Sequence, residues 1–68
     1  MGKDPFGEHL YQLLRRKGIR QADLARRMYV TQATISNYTM GINGPTVATL
    51  RRIKDAIGCT WEELLDEE

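Results

Sequence analysis

Polar but uncharged side chains are concentrated in one short segment of this 68-residue chain, residues 31–37. The segment holds a glutamine, an asparagine and three hydroxyl groups, and Gln21 precedes Gln32 by eleven residues. A glutamine amide carries both a donor and an acceptor, so it can bind N6 and N7 of adenine together. A small side chain such as Ala33 can contact the methyl group of thymine. These residue types favour contacts with the edges of bases.

The side-chain combinations that catalysis requires are not evident in the sequence. His9 has no second histidine, cysteine or acid at ligand spacing, and Cys59, as a single cysteine, cannot form an internal disulfide. No nucleophile–base pair, glycine-rich phosphate loop or carboxylate pair stands out. A chain this short also has little room for a catalytic cleft beside a core. We therefore expect no enzymatic activity, no metal and no cofactor.

The spacing of apolar residues predicts five short helices and no strands, an all-α fold. The first helix has Asp4 as its N-cap and Pro5 at its first position, and it ends at Gly18. The second covers residues 21–28. The third runs from residue 32 to about 40, after Thr31 as N-cap and before Gly41 as C-cap.

The last two helices are also bounded by capping residues. Thr46 caps the fourth helix, which stops at Gly58, and Thr60 caps a short fifth helix in which Glu63 completes a capping box. The inward-facing positions predict one core, made of Leu10, Leu13, Leu24, Ala25, Ile35, Val47, Leu50, Ile53 and Ile57.

The net charge of +1 conceals an asymmetry along the chain. Residues 61–68 carry five acids and no base, so residues 1–60 carry a net charge of +6. A phosphate backbone responds to the charge of the face that meets it, so this distribution is compatible with a nucleic-acid partner. Four bases cluster around the end of the first helix, and Arg20 is the best candidate among them for a phosphate contact; the others are Arg15, Arg16 and Lys17.

The second and third helices, joined by about three residues, have the form of a helix-turn-helix. The N-terminal residues of the second helix of such a pair touch base edges in the major groove. We therefore predict base contacts from Gln32, Ala33, Ser36 and Asn37. For Gln32 and Asn37 the alternative is an amide that is exposed to solvent and does not contact DNA. Gln21 at a helix N-terminus is well placed for phosphate. The hydroxyls of Thr31 and Thr34 suit phosphate too, although Thr31 can equally be a cap alone.

From about Leu10 to Leu65 the chain resembles the phage-repressor and Cro-like helix-turn-helix family. The resemblance is carried by Gln21-Ala22-Asp23-Leu24-Ala25, by residues 30–38, and by Gly41, Pro45, Leu50, Ile53, Ile57-Gly58 and Leu64-Leu65. It implies a compact five-helix, lambda-repressor-like domain over residues 1–68, with the helix-turn-helix at about 21–40. It also implies that Gln21 and Gln32 interact, with Gln21 bracing a phosphate, and that Asn43 in the loop reaches DNA.

Three departures from the family pattern stand out. The family usually has glycine where this chain has Tyr29, because the turn needs a positive φ that costs other residues roughly 1 kcal/mol. Many members have an arginine and a glutamate that form a partly buried ion pair where this chain has Leu14 and Thr39. Because both charges are missing together, neither is left unpaired. Asn37 stands where members often have Arg or Lys.

We therefore predict a sequence-specific regulator of transcription that binds duplex DNA. It would act by blocking or recruiting polymerase, in the cytoplasm of a bacterium or as a phage-encoded protein. No membrane span or signal peptide is predicted. The resemblance also implies a palindromic operator and a weak or DNA-assisted homodimer. Its contact would lie in the region of the fourth and fifth helices, through Trp61 and Leu65; the alternative is that Trp61 only seals the core of the monomer. The alternatives are a protein-interaction module of the same fold that does not bind DNA, and nonspecific binding through basic patches.

Overall fold

The computed structural model describes residues 5–65, and their backbone forms five α-helices with no strand among them. The helices are α1 (Pro5–Lys17), α2 (Gln21–Met28), α3 (Gln32–Thr39), α4 (Val47–Ile57) and α5 (Trp61–Leu65). The predicted all-α, five-helix fold is confirmed. The predicted N-cap Asp4 and the tail acids Asp66, Glu67 and Glu68 lie outside the described residues. No helix in the described part of the chain is long and apolar enough to cross a bilayer.

Threonine side chains cap three of the helices, as predicted. The Thr31 hydroxyl accepts a hydrogen bond of 3.2 Å from the N–H of Thr34, and Thr46 accepts one of the same length from the N–H of Thr49. At α5 the Thr60 hydroxyl accepts from the N–H of Glu63, whose carboxylate accepts from the N–H of Thr60. These bonds satisfy amide groups that the helix itself leaves unpaired.

Helices α1 to α4 end in a similar way, with one residue in the left-handed conformation. Glycine supplies it after α1, α3 and α4, at Gly18, Gly41 and Gly58. After α2 it is Tyr29, with φ 60° and ψ 39°. Its N–H donates to the carbonyl of Arg26 and the N–H of Val30 donates to that of Ala25, the two bonds of a Schellman motif. Helix α3 ends at Thr39 with Met40 as its cap, so Gly41 follows the cap residue itself.

The core lies between the inner faces of all five helices. Helix α3 packs against α1 and α2, while α4 packs against α2 and α5 against α1. Among the described residues, eleven hydrophobic ones are buried: Leu10, Leu13, Leu14, Leu24, Ala25, Met28, Ile35, Ile53, Ile57, Cys59 and Leu64. Most of the predicted core is therefore confirmed, and Leu64 of α5 closes it.

The prediction that Val47 belongs to the core is wrong, since its side chain is 78% exposed. Successive residues of a helix are rotated by about 100°, so two steps of three residues leave Val47 about 120° away from Ile53 around the axis. Leu50 lies between the two and is half-buried against the core. The buried stripe of α4 is centred on Ile53 and Ile57, and Val47 has rotated out of it.

Close contacts hold α3 against α1 and hold α2 against α4. A Cβ atom added to Gly7 would lie 2.7 Å from the carbonyl oxygen of Tyr38 and 2.8 Å from that of Thr39, so only glycine lets α1 approach the end of α3 so closely. Arg27 of α2 donates to the carbonyl oxygen of Ala56 at 2.9 Å, and Arg52 of α4 donates to that of Met28. These bonds join α2 to α4 in both directions.

Candidate nucleic-acid interface

Gln21 and Gln32, the first residues of α2 and α3, line one cleft on the surface. The cleft has an apolar floor that includes Leu14 and Ile19, and its rim includes Arg20. The fold brings the two glutamines to one place, but the interaction between them that the resemblance implies does not take the form of a hydrogen bond in the described structure. No hydrogen bond joins their amides among residues 5–65, so both amides are available to a ligand.

The N-terminal part of α3 presents its side chains to solvent. Gln32 and Ala33 are exposed, as predicted. Ser36 and Asn37, which were also predicted to contact bases, are half-buried, because α3 packs against both α1 and α2 and its later turns are more enclosed. The first turn of α3 is thus the most accessible part of the predicted base-reading surface.

The remaining predicted residues lie around this turn. Thr31 is exposed and Thr34 is half-buried, and their hydroxyl oxygens lie 2.9 Å apart. Thr31 therefore acts as the N-cap of α3, one of the two roles predicted for it. Asn43 is exposed in the loop that follows α3 and is not among the residues that line the cleft.

Arg20 precedes α2 with its side chain 86% exposed. Its Nε donates to Oδ2 of Asp23 at 3.3 Å, and Arg26 pairs with the other oxygen of the same carboxylate. The hydrogen bond from Arg20 is the main reason why the pKa of Asp23 is lower than usual. One acid thus faces two arginines, and the rim of the cleft keeps a net positive charge.

The structure separates the four bases around the end of α1, which sequence reasoning could not do. Arg15 lines the cleft with the two glutamines. Lys17 points to α5, with its Nζ 3.3 Å from Oε2 of Glu63. Arg16 is exposed and does not line the cleft. Sequence reasoning missed Arg15 as a cleft residue, and missed Tyr11 as well, although their spacing of four residues places both on one face of a helix.

Leu14 and Thr39 stand at the two positions where many family members have an ion pair, and neither residue brings an unpaired charge. Leu14 belongs to the buried core. The hydroxyl of Thr39 donates to the carbonyl oxygen of Ser36 at 2.8 Å. An apolar contact and a local hydrogen bond thus stand where many family members have arginine and glutamate.

Tyr29, in the turn between α2 and α3, is 93% exposed and is the only described residue other than glycine with a positive φ. It borders a second surface depression, between α2 and α4, together with Arg27, Arg52 and Asp55. The expectation that this position needs a positive φ is confirmed. The turn therefore holds a residue with a Cβ in the left-handed conformation, at the cost of backbone strain.

Metal and thiol chemistry have little support in the described residues. Within residues 5–65 no three His, Cys, Asp or Glu side chains are grouped so that they could hold a metal ion. Burial raises the pKa of the Cys59 thiol, which favours the unreactive protonated form. What the arrangement does offer is amides, hydroxyls and guanidinium groups around the start of α3.

Comparisons with known proteins agree with this geometry. Residues 10–64 match the sequence profile of a family described as Helix-turn-helix. A curated relative, the HTH-type transcriptional activator BcrR of Enterococcus faecalis, is 35% identical over 63 residues, which are 93% of this chain. The match covers 31% of BcrR, so the chain spans about a third of the length of that relative.

Two solved structures share the fold at low sequence identity. The restriction-modification controller protein C.AhdI from Aeromonas hydrophila superposes with a TM-score of 0.82 at 22% identity, over 88% of this chain and 87% of that one. The clp gene regulator ClgR from C. glutamicum superposes with a TM-score of 0.83 at 21% identity, over 90% of this chain and 79% of that one.

Proposed function

This chain belongs to the phage-repressor and Cro-like helix-turn-helix family, and on that basis we propose that it binds a short sequence of duplex DNA and regulates transcription there. Occupying an operator blocks polymerase or recruits it, according to where the operator lies. BcrR is described as an activator, so recruitment stands beside blocking in this proposal. The compartment that fits is the bacterial cytoplasm, where the DNA is.

One observation carries the proposal: the first turn of α3, with Gln32 and Ala33 exposed, lies beside a cleft rimmed by arginines. An α-helix fits the major groove, which is about 12 Å wide, and its first turn can touch base edges there. The same insertion brings the flanking phosphates to the arginine rim. Base reading and backbone neutralisation thus follow from one mode of docking.

The proposed roles divide by position. Side chains of α3 and the following loop read bases: Gln32, Ala33, Ser36, Asn37 and Asn43. Groups around the cleft and the helix N-termini hold phosphates: Arg20, Gln21, Thr31 and Thr34. The hydroxyls of Thr31 and Thr34 already face each other, so a phosphate oxygen would accept from whichever of them is not donating to the other.

We also propose that two copies bind a palindromic operator, because one recognition helix reads too few base pairs to select a genomic site. The surface available for pairing is α5, where Trp61 is 37% exposed and Leu65 is 38% exposed. Nζ of Lys54 lies 5.6 Å from the centre of the Trp61 ring. A contact between two copies through Trp61 and Leu65 would be small, and this suits a dimer that is weak in solution and forms fully on DNA.

A binding selection from random duplex DNA, repeated at two salt concentrations, tests the proposed function. An enriched motif that persists at the higher salt supports sequence-specific binding. Binding without a motif that disappears at the higher salt would show nonspecific attraction by the basic residues.

The exposed aromatic side chain in the turn favours a second candidate, a protein-interaction module of the same fold. Tyr29 is almost fully exposed and three other large apolar side chains, Met40, Ile42 and Val47, are exposed after α3 and at the start of α4. Exposed apolar side chains are typical of contacts with other proteins where they form one patch. If the selection recovers no duplex at either salt concentration, this candidate replaces the first.

A further inference from the structure

The cleft between α1 and the start of α3 contains a pair of side chains that the family resemblance does not assign to DNA binding. Tyr11 and Arg15 lie one turn apart on α1 and both line the cleft that Gln21 and Gln32 share. We propose that Arg15, held by Tyr11, binds a backbone phosphate beside the recognition helix. The inference rests on the proposed function and adds a contact to it.

The geometry of the pair shows how the guanidinium group is held. The Cζ atom of Arg15 lies 5.8 Å from the centre of the Tyr11 ring, and its Nη1 donates to the phenol oxygen at 3.4 Å. A cation over an aromatic face is attracted by the electron density of the ring. Tyr11 therefore restricts the long arginine side chain before DNA arrives, which reduces the entropy lost on binding.

The charge of Arg15 is not neutralised within the described part of the chain, because no ion pair joins it to an acid there. Arg20 and Lys17 differ in this respect, since Asp23 and Glu63 pair with them. A guanidinium group with its remaining donors free, at the edge of an apolar floor, is well suited to a phosphate oxygen.

The position in the cleft supplies the direction of the contact. Gln32 opens the recognition helix, and the phosphates nearest to an inserted helix are those at the edges of the groove. Arg15 shares the cleft wall with Gln21, at the N-terminus of α2, where phosphate is favoured. The three groups therefore bracket one stretch of backbone, with Arg15 as the contact contributed by α1.

The test compares wild type, Arg15→Gln and Arg16→Gln on the duplex recovered by selection and on a scrambled duplex. Arg16→Gln is the matched control, because this substitution removes the same charge from the neighbouring position of α1, which lies outside the cleft. We expect Arg15→Gln to weaken binding to both duplexes alike. The negative slope of log affinity against log salt should become shallower by about 0.9. When the salt is raised from about 50 to about 200 mM, the affinity of wild type should therefore decrease roughly 3–4 times as much as that of Arg15→Gln. Arg16→Gln should change the slope much less.

A methylphosphonate scan identifies the phosphate. Neutralising one backbone phosphate at a time should reveal a position that weakens binding of wild type and Arg16→Gln but leaves Arg15→Gln unchanged. The positioning role of Tyr11 is tested in a double-mutant cycle, in which Tyr11→Leu weakens binding only when Arg15 is present. Tyr11→Phe, which keeps the ring, should recover most of the loss.

The outcomes separate the two hypotheses. If wild type selects a duplex but Arg15→Gln and Arg16→Gln have the same salt slope, the phosphate contact is wrong and the proposed function stands. If wild type binds no duplex, the proposed function is wrong and the contact with it. If no phosphate position loses its effect in Arg15→Gln, the contact is wrong even where the slope changes.

Discussion

Thr60 and Glu63 close the first turn of α5 by exchanging two hydrogen bonds, each 3.1 Å long. The carboxylate of Glu63 also lies 3.3 Å from Nζ of Lys17 in α1, so the same side chain caps α5 and joins it to α1. The bond from the Thr60 N–H, followed by the one from Lys17, holds the pKa of Glu63 below its usual value of 4.5. One carboxylate therefore completes the cap of α5 and forms an ion pair between α5 and α1.

The ionisation of Glu63 predicts a pH dependence of stability. Because its pKa is lower in the folded chain than in the unfolded one, its contribution is present above about 4.5 and is lost as the pH falls through the lower, folded value. Glu63→Gln keeps the capping box but does not titrate. We expect its melting temperature, followed by circular dichroism from about pH 7 to pH 3, to fall less than that of wild type.

Asp23 also has a lowered pKa, so Glu63→Gln retains part of the acid sensitivity. Identical pH profiles for Glu63→Gln and wild type would contradict the role assigned to the Glu63 carboxylate.

The boundary of the core in α4 predicts unequal effects of truncation. Ile53→Ala removes a fully buried side chain and should cost about 2–5 kcal/mol, enough to unfold much of so small a domain. Val47→Ala changes an exposed position of the same helix and should stay within about 0.5 kcal/mol of wild type. Urea denaturation measures both, with Leu50→Ala expected between them. Equal costs for Val47→Ala and Ile53→Ala would place the helix in a different rotation.

The left-handed conformation of Tyr29 predicts a stabilising substitution. Tyr29→Gly removes the strain of a positive φ and should raise the free energy of unfolding by about 1 kcal/mol, or the melting temperature by about 4–8 °C. Tyr29→Ala deletes the ring but keeps a Cβ, so it is the control that should bring no such gain. A less stable Tyr29→Gly variant would show that contacts of the ring outweigh the strain.

The positions of Gln32 and Arg20 predict different effects on DNA binding. Gln32→Ala should cost about 1–3 kcal/mol on the preferred duplex and relax the choice at one base pair. Arg20→Ala should weaken all duplexes alike and flatten the salt dependence. Titrations of a cognate and a scrambled duplex at several salt concentrations distinguish the two. Equal losses on both duplexes for Gln32→Ala would make it a backbone contact.

The proposed pairing through α5 predicts a dependence on the spacing of half-sites. Two recognition helices related by a two-fold axis contact half-sites about 34 Å apart, or one turn of DNA. Inserting about five base pairs at the centre of the operator turns one half-site to the opposite face, and inserting about ten moves it about 34 Å further along the same face. A direct contact through α5 can bridge neither arrangement, so both insertions should abolish joint binding. Sedimentation gives the stoichiometry. A one-to-one complex that saturates a palindromic operator would overturn the dimer.

Local sequence determined the helices and their ends. Each threonine cap and each left-handed C-terminal residue is fixed by hydrogen bonds that span only three to five residues, so it is legible in the order of residues along the chain. The same holds for the capping box at Thr60. The positive φ of Tyr29 was expected only from the family resemblance, because a tyrosine does not by itself favour that conformation. The two glutamines at the starts of α2 and α3 follow from these boundaries.

Tertiary structure alone decided how side chains of similar type differ in their surroundings. Val47 and Ile53 have the same apolar character, and only the rotation of α4 against α2 exposes one and buries the other. Arg15 and Lys17 are two residues apart, yet Lys17 meets an acid 46 positions further along the chain while Arg15 faces the cleft. Long-range packing sets the surroundings of a side chain, because groups distant in sequence supply the surface and charge around it.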